Sequence, residues 1–83
     1  DLFTYLMPNP AHSQVLVSSS YGLQSIQIFT IGGVLLEQHS ANGISTTLDV
    51  ANLSKGIYIV RIVTPSGSAV KRLIVNIKKK NKI

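Results

Sequence analysis

The chain reads as an all-β fold, a small antiparallel β-sandwich of six to seven strands, and three observations carry that reading. Val, Ile and Leu dominate the apolar residues and fall in short runs that alternate with polar ones, the pattern of half-buried strands. Gly, Asn, Ser and Pro separate the runs at nearly even spacing, as turns do in small sandwiches. No window sustains a helical period.

The 83 residues suffice for one domain, which buries only roughly 60 to 65% of the surface its unfolded chain exposes. There is no cysteine, so neither disulfides nor thiolate metal sites supplement that core, and redox compartment cannot be read from cysteine usage. Aliphatic side chains must supply it. The apolar runs are too short to cross a bilayer, and no basic segment followed by an apolar stretch opens the chain. Because the first residue is Asp1 and not Met, the chain is expected to be a piece of a longer protein. The net charge of +5 gathers in Lys71, Arg72, Lys78, Lys79, Lys80 and Lys82, leaving the rest of the chain near neutral.

In order, Leu2 to Leu6 is a short first strand or a linker, and Pro8-Asn9-Pro10 is a stiff extended segment, since each proline removes a donor and restricts its predecessor. Residues 1–10 are therefore assigned to a lead-in segment or linker, 11–78 to the sandwich and 79–83 to a basic tail. Gln14 to Ser19 is a strand, with Ser18 to Gly22 as the turn beyond it. Gln24 to Ile31 and Val34 to His39 are expected to form a hairpin through Gly32-Gly33, a two-residue primed turn. Asn42-Gly43 is a second signal of that kind, followed by alternation of Ile44, Thr46, Leu48 and Val50. Ile57 to Thr64 and the closing strand through Lys78 are joined by Thr64-Pro65-Ser66-Gly67, with Pro and Gly where a type I turn places them.

The stretch Leu53-Ser54-Lys55-Gly56-Ile57-Tyr58 organises the whole. Gly56 supplies the positive φ that a tight corner accepts, and Leu53 is an apolar plug beneath it. Tyr58 then opens a strand after a crossing corner, the place of the tyrosine corner in immunoglobulin-like sandwiches, where the hydroxyl bonds backbone a few residues upstream. The plainer reading makes Tyr58 only a large strand former. The core is expected from Val15, Val17, Ile26, Ile28, Leu48, Val50, Leu53, Tyr58, Val60, Ile62, Leu73 and Val75.

Taken together, Pro8-Asn9-Pro10, Ile28-Phe29 with Gly33, Leu48, Leu53-Ser54-Lys55-Gly56-Ile57-Tyr58-Ile59-Val60, and Lys71-Arg72-Leu73-Ile74-Val75 with a basic end resemble the C-terminal sorting domain of the type IX (Por) secretion system. No single piece is specific; the ordered set over nearly the whole chain is. The chain departs from the family pattern at Thr30, at Val34 and in the run past the lysines to Asn81-Lys82-Ile83, which bears on local surface more than on fold. The resemblance implies a non-enzymatic label at the end of a larger secreted protein. In that family an immunoglobulin-like sandwich is recognised in the periplasm and directs an N-terminal passenger across the outer membrane to the cell surface or the extracellular space. An outer-membrane shuttle and a sortase-like peptidase are the implied partners, and the peptidase usually removes the label and joins the passenger to anionic lipopolysaccharide. Some members keep it.

For such a label, the expected recognition elements are the edge of the final strand and the lysines Lys71, Lys78, Lys79 and Lys80. The plainer reading of the lysine run is a solvated tail that blunts an edge. Nucleic acid is disfavoured, because the cations are not interleaved with aromatics on one face. Ser68-Ala69-Val70-Lys71 spells S-x-x-K, but an offset of three puts its ends on opposite faces of a strand. His12 and His39 lie far apart with no ligand spacing, and Asp1, Glu37 and Asp49 are the only acids, so no catalytic site, metal or cofactor is assigned. Asn52-Leu53-Ser54 matches a glycosylation acceptor incidentally, Leu53 being expected inside. The alternatives are a retained carbohydrate- or protein-binding module, for which the absence of Trp leaves little to stack on a sugar, and a spacer without partners. Exposed edges leave a dimer open.

Overall fold

A computed structural model describes residues 4–76 as two antiparallel sheets, with no helix among them. The strands are β1 (Thr4–Met7), β2 (Gln14–Ser19), β3 (Ser25–Thr30), β4 (Leu35–Ser40), β5 (Ser45–Asp49), β6 (Gly56–Thr64) and β7 (Gly67–Val75). One sheet is ordered β1-β2-β5 and the other β4-β3-β6-β7, the Greek-key arrangement of an immunoglobulin-like sandwich. The expected all-β sandwich is therefore the fold, with seven strands.

Period-two alternation decides which side chains lie between the sheets. Val15 and Val17 of β2, Ile26 and Ile28 of β3, Val60 and Ile62 of β6, and Leu73 and Val75 of β7 are all at most 1% exposed. All twelve expected core residues are buried there, and Ala11 and Leu23 join them. Each such aliphatic contributes about 1.5–3 kcal/mol by leaving water, which a chain without cross-links depends on.

Two turn expectations are corrected. The β3–β4 loop is not a two-residue Gly-Gly turn. The Thr30 carbonyl accepts from the Gly33 amide (3.0 Å), the Thr30 amide donates to Val34 O (2.9 Å), and Thr30 Oγ1 accepts from the Val34 amide (3.1 Å). The hydroxyl thus closes a three-residue loop in which Gly33 alone takes a left-handed conformation (φ 94°). Asn42-Gly43 makes no hairpin either, because β4 and β5 belong to different sheets. It is a crossover whose carbonyl at Gly43 receives the Leu23 amide (2.8 Å) while Ala41 donates to Gln24 O (3.0 Å). A positive-φ residue helps a crossover as readily as a hairpin, so the dipeptide could not distinguish them.

The registers fix two ends. Thr4 lies beside Ser19 at the end that carries the Thr64–Gly67 turn, while Met7, the β3–β4 loop, Gly56 and Val75 lie at the other.

Candidate recognition site

The β5–β6 corner comes first, because it sets the position of β6. The Leu53 amide donates to Val50 O (3.0 Å), folding the chain back, and Leu53 fills the space beneath, 8% exposed. The Tyr58 hydroxyl donates to Ser54 O at 2.5 Å, four residues upstream, with the ring against the core. That is the tyrosine corner, at the crossing between the sheets. Gly56 has φ 158°, close to an extended strand, with nothing within 4 Å of where a Cβ would stand.

The lead-in segment makes the second feature. After β1, the chain leaves the three-stranded sheet at Pro8-Asn9-Pro10, with cis peptide bonds before both prolines, and reaches the outer edge of β7 in the other sheet. There the Asn9 side chain grips backbone in both directions: Nδ2 donates to Arg72 O (2.8 Å) and Oδ1 accepts from the Ile74 amide (2.9 Å). Ala11 follows as a parallel bridge to Val75, donating to Ile74 O (2.7 Å) and accepting from the Asn76 amide (2.8 Å). His12 Nδ1 donates to Asn76 O (2.6 Å). A carboxamide carries both a donor and an acceptor, so one Asn can take the place of a neighbouring strand here. From Arg72 to Asn76 the edge of the final strand is thereby occupied; Ser68 and Val70, of the same parity, remain exposed.

Lys71, on β7, pairs with Val60 of β6 and is half-buried. Lys78, Lys79 and Lys80 lie outside the described residues. Ala11 and His12 were missed from the sequence, since a single parallel bridge leaves no periodic trace; their only signal was a small residue and a donor just after a proline. At the opposite end an open cleft of about 260 Å³ is lined by Thr4, Tyr21, Thr64 and Ser66 among others, and the buried Thr4 Oγ1 has no hydrogen-bond partner among the described residues. Glu37 Oε1 and His39 Nε2 lie 2.8 Å apart, on one face of the edge strand β4. Among the described residues no three His, Cys, Asp or Glu side chains come close enough to hold a metal ion.

What the fold offers is strand edges and sheet faces on a rigid sandwich, the surfaces by which one protein is read by another. In class it is a small immunoglobulin-like β-sandwich. Residues 5–76 match the model of the secretion system C-terminal sorting domain, a span that takes in the Asn9 clip, the tyrosine corner and the whole of β7, and the chain belongs to that family. It is a type IX C-terminal sorting domain, a signal for export to the cell surface or extracellular space, and the family is not one of enzymes. No curated protein matches the chain.

Proposed function

We propose that the domain is read as a folded label in the periplasm, passes with its passenger across the outer membrane through a shuttle, and is then cut off by a sortase-like peptidase that joins the passenger to anionic lipopolysaccharide. The observation that carries this reading is the family match over residues 5–76. The order of the fold supports it, because Pro8, Asn9 and Pro10 form a clip on the outer edge of β7, while Leu53, Gly56 and Tyr58 form the corner that sets its neighbour β6; Gly33 closes the β3–β4 loop on the far side of that sheet, and Lys78, Lys79 and Lys80 follow β7 in the sequence. In this reading Lys71 and those three lysines meet the machinery through charge-assisted contacts.

The test is to place residues 1–83 behind a signal peptide and an inert reporter in a host with type IX secretion. The reporter is expected outside the cell, and its surface form should be smaller than the fusion by about the 9.0 kDa of the domain. Retention in the periplasm refutes the label; delivery at full mass refutes the cleavage. A periplasmic fusion that captures a sugar or protein ligand would favour an accessory binding module. Deleting everything after Ile77 should abolish delivery if the lysines are read.

A further inference from the structure

The two outer faces of the sandwich differ in charge. On the three-stranded sheet the outward positions are mixed, Gln14, Leu16 and Ser18 of β2 standing opposite Asp49, Thr47 and Ser45 of β5 with Tyr5 and Met7 of β1 beside them, and Asp49 is the one charged side chain among them. The outer face of the four-stranded sheet carries Ser25, Gln27 and Ser68 toward one end and is apolar at the other, where water should favour polar groups. Phe29 pairs with Leu35 and Ile59, and Ile57 pairs with Ile74, all outward by their alternation with the buried set. Leu35 and Ile57 are 46% and 42% exposed. The residues cluster at the end of the sandwich opposite Thr4.

Two cations stand on this face, Arg61 opposite Gln27 and Val70, and Arg72 opposite Ile59. They are cross-strand diagonal neighbours, roughly 7–8 Å apart between Cα atoms, and both are exposed. Neither has an ion pair among the described residues: Glu37 is taken by His39, and Asp49 accepts from the Ala51 amide on the other sheet. An apolar patch with paired guanidiniums and, among the described residues, no carboxylate is complementary to a surface of opposite sign. A second copy packed face to face does not meet that need, since among the described residues the same face presents no carboxylate to the arginines.

We infer that this face docks a protein of the export apparatus that presents carboxylates among apolar side chains, with Arg61 and Arg72 gripping the carboxylates bidentately and the Phe29–Ile59 stripe covered. The inference rests on the sorting-label reading. Arg is suited to the task because its planar fork binds carboxylate while its weakly hydrated body lies on apolar neighbours.

The experiment uses the same reporter fusion, with R61K/R72K, R61Q/R72Q and R61E/R72E, each checked for unchanged thermal melting of the purified domain. Export is expected to fall progressively: Lys a few-fold lower, because it keeps the charge and loses the bidentate fork, Gln lower again, and Glu at least tenfold lower with the fusion held in the periplasm. Restoration of the R61E/R72E fusion by an acidic-to-basic change in an envelope protein would establish the complementary pair. Export of the R61E/R72E fusion at the wild-type level overturns the inference while leaving the label intact. Failure of the wild-type fusion to leave the periplasm overturns the label and takes this inference with it. The purified wild-type domain is also titrated with phosphatidylcholine vesicles containing phosphatidylglycerol; salt-sensitive binding that vanishes in R61E/R72E would assign the face to anionic lipid and overturn the protein partner.

Discussion

The Asn9 clip gives the sharpest prediction, because one side chain substitutes for a missing strand. Asn9→Ala removes a donor to Arg72 O and an acceptor from the Ile74 amide, at 2.8 and 2.9 Å. Each such bond is worth about 0.5–1.5 kcal/mol net, and Asn9 is exposed, so water replaces part of the loss. The expected cost is about 1–2 kcal/mol, which for a domain of this size lowers Tm by about 4–16 °C. Asn9→Asp separates geometry from hydrogen bonding. The shape is kept and the Ile74 amide still has an acceptor, but a carboxylate oxygen now faces the Arg72 carbonyl where a donor stood. At pH 7 Asn9→Asp should therefore be less stable than wild type and should recover part of its loss in acid, as protonation restores a donor. Urea melts of the three proteins at pH 7 and pH 4 measure this directly. Losses below about 0.3 kcal/mol in both variants would refute the clip, since surface substitutions away from specific features fall in that range.

Other consequences follow from the same geometry. Tyr58→Phe removes only the bond to Ser54 O and should cost about 0.5–1.5 kcal/mol, whereas Tyr58→Ala also empties the space under the corner and should cost about 3–5 kcal/mol, both read from denaturant midpoints. Ile28→Ala, at a site with no exposure, should cost about 2–5 kcal/mol and approach the whole reserve of a small domain, leaving a broad or absent thermal transition. Gly33→Ala forces a Cβ into φ 94° with open space around it, so the penalty of about 1 kcal/mol is conformational; Gly33→Asn, which tolerates that region better, should recover part of it. Amide exchange should be slowest on Ile26, Ile28 and Val60 in the central strands and faster on exposed Ser68 and Val70 than on clipped Ile74, a contrast that Asn9→Ala should erase.

Period-two alternation made the strands and the inward face legible, because a strand places every second side chain in the same environment whatever it pairs with. That is why all twelve expected core residues are inside, and why Tyr58 was recognisable from Leu53 and Gly56 alone. Local chemistry does not say which sheet a strand joins. Asn42-Gly43 has the spelling of a hairpin and serves a crossover, and Gly32-Gly33 has the spelling of a two-residue turn until the Thr30 hydroxyl takes the Val34 amide. Asn9 and Arg72 stand 63 residues apart, so nothing near either one encodes their bond. The outward apolar face with Arg61 and Arg72 is likewise assembled from separate strands whose order only the sheet registers fix. The sequence by itself determined the strands, the buried set and the resemblance that names the family, for these depend on residue type and short spacing. The tertiary structure decided the strand order, the clip on the final edge and the charge pattern of each face, for these depend on pairings between residues far apart in the chain.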